Sequence, residues 1–236
     1  MLASDVIDRA RIILQDGNAV RWLDPEMLQW LNDGQRTIVL VRPDACVTNA
    51  PLALVAGTRQ KLPADALRLL DVIRNIATAE KNSGRAIRLV DREVLDTQEP
   101  NWHTQKVALV IRNYAYDNRD PLTFYVSPPA QGPDQLGKNG AKVEVLYSKA
   151  PDVITAVTDT LTLPDIYIDP LLSYLLFRCY TKEAQFAMNA QLAAGYLQAC
   201  MNMLNVKTQR DVAFSPDFTS KGAMPNAASA QTGGVG

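Results

Sequence analysis

The sequence predicts an α+β protein whose helical body is built from both ends of the chain, with a β-rich insertion between them. Residues 1–44 and 164–205 carry apolar side chains at helical spacing. Within residues 45–163, short apolar runs alternate with turn-forming residues, which is typical of strands. From residue 206 to 236 the periodicity disappears and small or polar residues predominate, which predicts an extended C-terminal arm.

Two helices are predicted in the N-terminal segment. The first is expected to start at Ser4, a residue type that caps helices, and to end at Gly17. The second is expected to start at Asp24, because an aspartate cap followed by Pro25 places the proline where no backbone N–H is needed. Its end is predicted at Arg42-Pro43, since the residue before a proline disfavours helical backbone.

Five strands and one short helix are predicted in the insertion. The strand candidates are Leu67–Ala77, Arg85–Val90, Val107–Asn113, Leu122–Val126 and Val143–Tyr147. Asp91–Thr97 is expected to form the short helix. Prolines and glycines crowd residues 127–141, and this composition predicts a long, exposed loop at the tip of the insertion.

Helical spacing returns at Asp169-Pro170, where an aspartate cap followed by proline is expected again, and a break is expected within residues 181–189. Between Asp169 and Leu204 only four residues are charged, and the run is apolar on more than one face. One chain of this length offers limited cover for so much apolar surface, so either the core is large or another subunit covers part of it. A stripe of small residues is expected at close helix contacts, within the subunit or between subunits: Ala190, Ala193, Ala194 and Leu197.

The composition is that of an ordinary soluble globular protein. Apolar residues make up 47% of the chain, charged residues 21%, and the formal net charge is −1. A protein built to grip duplex DNA by its phosphates is normally basic, so tight nucleic-acid binding is not expected. The N-terminus lacks a signal-peptide layout and no apolar run reaches the roughly 18 residues of a membrane span, so we expect no membrane partner.

No pattern in the sequence predicts catalytic, cofactor-binding or metal-binding residues. The three cysteines are far apart and His103 is the only histidine, which argues against a zinc site and indicates a reducing compartment. His103 is interpreted as structural, because no acid or nucleophile motif surrounds it. The GKNG segment at Gly137–Gly140 lacks the spacing of a phosphate-binding loop. Asp117 and Asp120 resemble a cation loop only loosely.

Five segments follow one another along the chain: RWLDPEMLQWLNDGQRTIVLVRPDA, LPADALRLLDVIRN, DPLTFYVSPP, VEVLYSKAP and DPLLSYLLFRCYTKEAQFAMNAQLAAGYLQACMNML. Their order resembles the head-to-tail adaptor, or connector, proteins of tailed bacteriophages, over about residues 1 to 205. The resemblance implies a virion protein, assembled in the host cytoplasm, that forms a ring of commonly twelve copies. Its implied partners are further copies of itself, the portal protein, and the tail tube, nozzle or other tail proteins. DNA would pass through the ring without sequence-specific binding, which suits a nearly neutral chain.

The predicted arm contains two isolated aromatic residues, Phe214 and Phe218, on either side of Pro216. A proline between them favours an extended course, and aromatic side chains can anchor a segment that becomes ordered on binding. Within the resemblance, the expected groove for this arm lies on the portal protein. The alternative is a tail without a partner.

Three hypotheses of function follow. The first is a structural ring adaptor of the virion. The second is a non-catalytic assembly or scaffolding module that is absent from the mature particle. The third, an enzyme acting on cell-wall or nucleic-acid substrates, lacks any clustered acid–base or metal-binding residues to support it.

Overall fold

The computed structural model describes residues 1–76, 84–133 and 140–214, with side chains described as far as Val206. It confirms the α+β class: helices come from both ends of the chain and strands from its middle. The α-helices of the described residues are α1 Ala3–Leu14, α2 Asp24–Val41, α3 Arg92–Gln98, α4 Ile168–Lys182 and α5 Ala187–Phe214. The strands are β1 Val47–Ala53, β2 Gly57–Lys61, β3 Ala66–Ile76, β4 Arg88–Leu89, β5 Asn113–Tyr116, β6 Thr123–Ala130 and β7 Lys142–Lys149.

The helical body is organised around α4. This helix packs against α1 and α2 on one side and against α5 on the other. Its most deeply buried residues, Leu171, Leu175 and Cys179, are completely enclosed. Both faces of α4 are therefore covered within a single chain.

A glycine lets α2 approach α4 closely. A Cβ added to Gly34 would lie 3.0 Å from Cδ1 of Tyr174 and 3.2 Å from Cδ2 of Leu171, which is tighter than ordinary van der Waals contact. The close approach places the rings and branched side chains of α4 directly over the backbone of α2.

The segment that returns from the strands to α4 also belongs to the helical core. Ile154, Leu161 and Leu163 are buried in the same apolar cluster as α1, α2 and α4. The amide of Asn32 on α2 donates to the Ile154 carbonyl oxygen at 2.9 Å and accepts from its N–H at 3.0 Å. The chain thus rejoins the helical core at Ile154, before the boundary at residue 164 that the sequence predicts.

The insertion forms a β-rich lobe of two small sheets. One has the strand order β1-β7-β3 and the other β2-β6-β5-β4, and the paired strands are antiparallel except for β4 with β5. The facing side chains form one apolar cluster, whose completely buried members include Val72, Val143, Val145, Phe124 and Val126. The lobe therefore has a core of its own.

The short helix α3 and the turn after it cover the outer face of the second sheet. Trp102 is completely buried there, and its indole N–H donates to Asp96 at 2.9 Å. The His103 ring stacks on Trp102 with centroids 3.7 Å apart, and its Nδ1 lies 2.8 Å from Oγ1 of Thr58. His103 therefore has the structural partners that the sequence analysis expects of it.

The strand predictions agree with the structure where apolar runs are long. Leu67–Ala77, Leu122–Val126 and Val143–Tyr147 correspond to β3, β6 and β7, and the short helix is α3, capped by Asp91. Of Arg85–Val90, only Arg88–Leu89 forms a regular strand. Strands β1 and β2 are not predicted by the apolar pattern, because these edge strands are polar or contain proline.

The prediction of a strand at Val107–Asn113 is wrong, since only its last residue begins β5. The backbone of Ile111 is bound by a side chain instead of a full neighbouring strand. The Asn75 amide donates to the Ile111 carbonyl oxygen at 2.8 Å and accepts from the Ile111 N–H at 2.8 Å. An apolar residue can therefore line a core without belonging to a strand when a side-chain amide forms the hydrogen bonds of its backbone N–H and C=O groups.

The aspartates expected to cap α2 and α4 do not do so. The N-cap residues are Leu23 and Tyr167, so Asp24 and Asp169 lie in the first turn, where a negative charge is still favourable. Asp24 instead forms an ion pair with Arg11 of α1. The aspartate–proline pattern marked the start of both helices correctly but not the role of its carboxylate.

The chain between α1 and α2 is organised by one carboxylate. Asp16 is only 8% exposed, and it accepts backbone hydrogen bonds from Val20, Arg21 and Trp22 at 2.9, 3.1 and 3.0 Å. These bonds hold the segment that follows Gly17, where the first helix was predicted to end. Helix α1 ends earlier, at Leu14.

Helix α5 continues to Phe214, so the first nine residues of the predicted extended arm, 206–214, are helical. Apolar periodicity is lost near residue 206, but the loss of an apolar stripe does not by itself end a helix.

We expect Gly34→Leu to lower the free energy of unfolding by about 1–3 kcal/mol, because the new side chain would overpack the contact between α2 and α4. The matched control is Gly195→Leu on α5, where an added Cβ meets nothing within 4 Å. Urea denaturation of the dilute, monomeric subunit measures both. Equal effects of the two substitutions would contradict the close approach at Gly34.

The Asp16 interactions predict a specific pH dependence. The Trp22 backbone N–H, aided by those of Val20 and Arg21 and by the charge of Arg11, lowers the pKa of the Asp16 carboxyl. A carboxyl with a lowered folded-state pKa contributes fully above its unfolded pKa of about 3.9, and this contribution is lost as the pH falls through the folded value.

We therefore expect acidification below about pH 4 to destabilise the wild-type protein more steeply than the Asp16→Asn variant, which has no charge to lose. Free energies of unfolding from urea titrations at several pH values measure this difference. Parallel pH profiles for the two proteins would show that Asp16 is not the responsible group.

Candidate subunit interface

The side of α5 that faces α4 is packed. Ala193, Cys200 and Leu204 are buried along it. Tyr196 stacks on Tyr180 of α4, with ring centroids 5.7 Å apart and planes 4° from parallel. Among the described elements, α4 is the one with which α5 makes extensive contact.

The opposite side of α5 is exposed and carries no charge. No Asp, Glu, Lys, Arg or His occurs from Ala184 to Val206. Met188 is 73% exposed, Leu192 41% and Val206 49%. We define the outer face of α5 as the exposed residues Met188, Gln191, Leu192, Ala194, Gly195, Gln198, Asn202 and Val206.

This outer face has the chemistry of a helix–helix contact. Exposed helix faces of soluble proteins normally carry charged residues, whereas a helix that is apolar on all sides is normally buried. The small residues Ala194 and Gly195 would let a second helix approach closely. Amide side chains at Gln191, Gln198 and Asn202 can donate and accept hydrogen bonds across such a contact.

The structure separates the four residues of the predicted small-residue stripe. Ala193 is buried against α4, and Leu197 is half-buried. Ala190 and Ala194 are exposed, and of the two only Ala194 belongs to the outer face of α5. Their role in contacts between subunits remains a prediction.

Of the predicted portal-binding residues, only Phe214 belongs to a described element, as the last residue of α5. Its side chain, Pro216 and Phe218 lie outside the described residues. The binding role of all three stays a prediction.

Several titratable groups outside α5 have structural partners or are buried. Hydrogen bonds from Arg119 lower the pKa of Asp117 to about 2, so this carboxylate of the YDNRDP segment is occupied by a guanidinium. Burial raises the pKa of Cys179 to about 12 and that of Cys200 to about 11, which keeps both thiols protonated. Among the described residues, no group of three or more His, Cys, Asp or Glu is placed to hold a metal ion.

None of the described helices combines the length and the hydropathy needed to cross a membrane.

The sequence matches the model of one protein family over most of its length. A family model described as SU10 adaptor protein matches residues 1–220. The chain belongs to the SU10 adaptor protein family. None of the curated proteins matches it. The family match extends beyond residue 205, where the resemblance in the sequence was expected to end, and includes Phe214, Pro216 and Phe218.

Membership of this family makes the protein a bacteriophage head-to-tail adaptor, as the order of its segments predicts. Adaptors of this family are structural phage proteins that interact with other head and tail proteins. The exposed, charge-free face of α5 is consistent with an assembly role.

The outer face of α5 could have been found from the sequence, since the charge-free run from residue 184 to 206 is visible there. Periodicity alone could not say which side of this run α4 would cover. The hydrophobic pattern of α5 has no dominant face, because alanine, leucine and methionine occur around the whole helix.

We expect Ala193→Trp to lower the free energy of unfolding of the isolated subunit by about 1–3 kcal/mol, because it overpacks the contact with α4. Ala194→Trp should change it by no more than about 0.5 kcal/mol, because residue 194 is exposed. Chemical denaturation of monomeric protein compares these adjacent alanines. Destabilisation by Ala194→Trp as large as that by Ala193→Trp would contradict the exposed position.

Proposed function

We propose that this adaptor forms a ring between the portal and the tail, and that DNA passes through the ring. Neighbouring subunits contact one another through the outer face of α5. The observation that carries the proposal is the charge-free exposed side of this helix, in a protein of an adaptor family.

A ring requires that the outer face of α5 contact a different surface of the neighbouring subunit, since a face that contacts its own copy gives a closed dimer. The outer face of α5 lies on one side of the subunit, while α1, α2 and the segment from Ile154 to Leu163 lie on the other side of α4. A contact between two different surfaces of identical subunits is heterologous, and it closes into a ring when the rotation between subunits permits. Twelve copies is the number that the resemblance to connectors implies.

The charge of the chain suits a ring through which DNA slides. With a net charge of −1, the subunit has no excess of cations to bind phosphates tightly. Each Lys or Arg contact with a phosphate releases counterions and adds affinity, which would slow passage. We therefore infer that DNA passes without sequence-specific binding.

The portal and the next tail protein are the proposed partners, and the role is structural rather than enzymatic. Phe214, Pro216 and Phe218 are proposed to bind the portal protein. A terminal segment that becomes ordered on docking uses its aromatic residues as anchors, and repeated copies of the arm around a ring add avidity. The protein would then be a component of the virion at the head–tail interface.

Ring formation is tested by light scattering after size exclusion, and by negative-stain microscopy, of wild type and Ala194→Trp. The wild-type protein, alone or with portal, should form rings with a central hole, and Ala194→Trp should remain monomeric. The control is Ala64→Trp, an equally large change at an exposed position in the lobe. Normal rings from Ala194→Trp would contradict the assignment of the interface to α5.

The arm is tested by co-sedimentation with portal, using the double variant Phe214→Ala/Phe218→Ala and a chain that ends at Ala213. Ending the chain there preserves most of α5, which an earlier truncation would remove. Both proteins should bind portal more weakly than wild type, whereas the control Leu89→Ala, at a 63% exposed position of the lobe, should not. Undiminished binding by both would exclude an anchoring arm but not a ring.

Mass spectrometry of purified particles distinguishes a virion adaptor from an assembly module that leaves before maturation. The adaptor should be present in mature particles at a fixed ratio to portal. Its absence from particles that carry tails would favour the assembly module.

A further inference from the structure

The side of α1 that faces away from the core has two halves of different polarity. We define the α1 stripe as the exposed residues Asp5, Asp8, Arg9, Ile12 and Ile13. Its first half is charged, whereas its second half is aliphatic, with Ile12 77% and Ile13 44% exposed. The buried residues Val6, Ile7 and Ala10 lie on the opposite side of the helix. The described part of the chain therefore leaves the α1 stripe in solvent.

Over residues 188–202, the outer face of α5 is divided in the same way. Its first half exposes Met188 and Leu192 beside the amide of Gln191. Its second half carries the amides of Gln198 and Asn202. An aliphatic surface gains most by burial against another aliphatic surface, whereas an amide can both donate to a carboxylate and accept from a guanidinium. The two halves of α5 thus match the two halves of the α1 stripe.

Helix α1 runs in the same direction as α4. Near the starts of the two helices, the N-terminal amine pairs with Asp165 at 2.9 Å. Near their ends, both helices pair with the first turn of α2: Arg11 of α1 with Asp24, and Lys182 of α4 with Glu26. The aliphatic half of the α1 stripe therefore lies at the level at which α4 ends.

Helix α5 runs in the opposite direction. It follows α4 after a loop of four residues and packs along it, as the second helix of a hairpin does. Met188 is its second residue, so the aliphatic half of the outer face also lies at the level at which α4 ends. Gln198 follows about 15 Å further along, and Asp5 lies about 10 Å from Ile12 in the same direction. The amides of α5 and the charges of α1 therefore share a level as well.

Residues that meet across a ring contact lie at the same level. Rotation about the ring axis preserves both the height of a residue along the axis and its distance from the axis, so only its position around the ring changes. Two faces on opposite sides of a subunit therefore meet level with level, whether the helices point along the axis or outward from it. Helices α1 and α5 lie on opposite sides of α4, as such a contact requires.

We propose that the α1 stripe is the surface of the neighbouring subunit that the outer face of α5 contacts. Ile12 and Ile13 of one copy pack against Met188 and Leu192 of the next, and the charged half of the stripe meets the amides of α5. This inference rests on the proposed function, because it identifies the second surface of the contact that forms the ring.

The exposed side of α2 is a poorer match for α5. Helix α2 starts at the level at which α4 ends. Its exposed residues near the level of Met188 are Asp24, Pro25 and Gln29. Its exposed aliphatic residue Leu40 lies about 24 Å further along the helix. A contact with α2 would thus place a carboxylate and an amide against the aliphatic half of α5.

The first experiment compares Ile12→Lys with the control Leu40→Lys, by light scattering and negative-stain microscopy of the protein alone and with portal. Both positions are highly exposed, at 77% and 82%, and both lie near the C-terminal end of a helix, where lysine is favourable. Circular dichroism verifies that both variants fold. We expect Ile12→Lys to raise the concentration needed for ring formation by about tenfold or more, since an ammonium would be buried in an apolar contact. Leu40→Lys should form rings as wild type does.

The second experiment tests the pairing directly by oxidising assembled Ile12→Cys/Met188→Cys protein, with Leu40→Cys/Met188→Cys as the control. The native cysteines are buried. A disulfide requires Cα atoms within about 7 Å, whereas α4 separates residues 12 and 188 of one chain, so a bond between them joins two subunits. The first variant should give covalent chains of more than two subunits on a denaturing gel, and the control should give none.

Normal ring formation by Ile12→Lys would overturn the proposal. Loss of rings in Leu40→Lys, cross-linking of residue 40 to residue 188, or assembled rings without a bond between residues 12 and 188 would overturn it too. Cross-linked dimers without longer chains would show a closed two-fold contact and would also overturn it. In each of these cases wild type still forms rings, whereas failure of the wild-type protein to form rings, alone or with portal, would contradict the proposed function itself.

Discussion

The helical body depends on the burial of α4 on both sides. Helices α1 and α2 cover one face of α4 and α5 covers the other, so the body is held together through this one helix. Leu171, Leu175 and Cys179 are completely enclosed as a result. The close packing of α2 on α4 also explains why residue 34 is a glycine, since a side chain there would collide with Tyr174. A side chain there would push apart the two helices on which the others are arranged.

The same arrangement leaves α5 as an outer layer with one covered side. A helix in this position normally has a charged outer face, but α5 has none between Ala184 and Val206. Folding of the single chain therefore buries both sides of α4 but leaves one side of α5 exposed. The remaining apolar and amide surface is available for assembly, which is the main task of an adaptor protein. In the proposed ring, Ala193 would contribute to the stability of the subunit and Ala194 to the contact with its neighbour.

The two ends of the subunit differ in how they present contact surfaces. At one end three backbone hydrogen bonds to Asp16 hold the loop between α1 and α2, in which Val20 and Leu23 are exposed. At the other end the lobe has its own core of two sheets, and the chain returns from it through Ile154, which two hydrogen bonds attach to Asn32 of α2. A body with a distinct surface at each end is suited to bridge two different proteins.

The class of fold, the helices at both ends, the break before α5 and the charge-free run could be predicted from the sequence, because they depend on local periodicity, breaker residues and composition. The short helix α3 could be predicted as well, because it begins after a capping aspartate. The polar strands β1 and β2 could not, since they form by pairing with β7 and β6, which are distant in sequence. The hydrogen bonds of Asn75 to the backbone of Ile111 likewise depend on a contact between distant segments. Which side of α5 is covered was likewise decided by packing on α4, because a helix that is apolar on all sides contains no signal of its orientation.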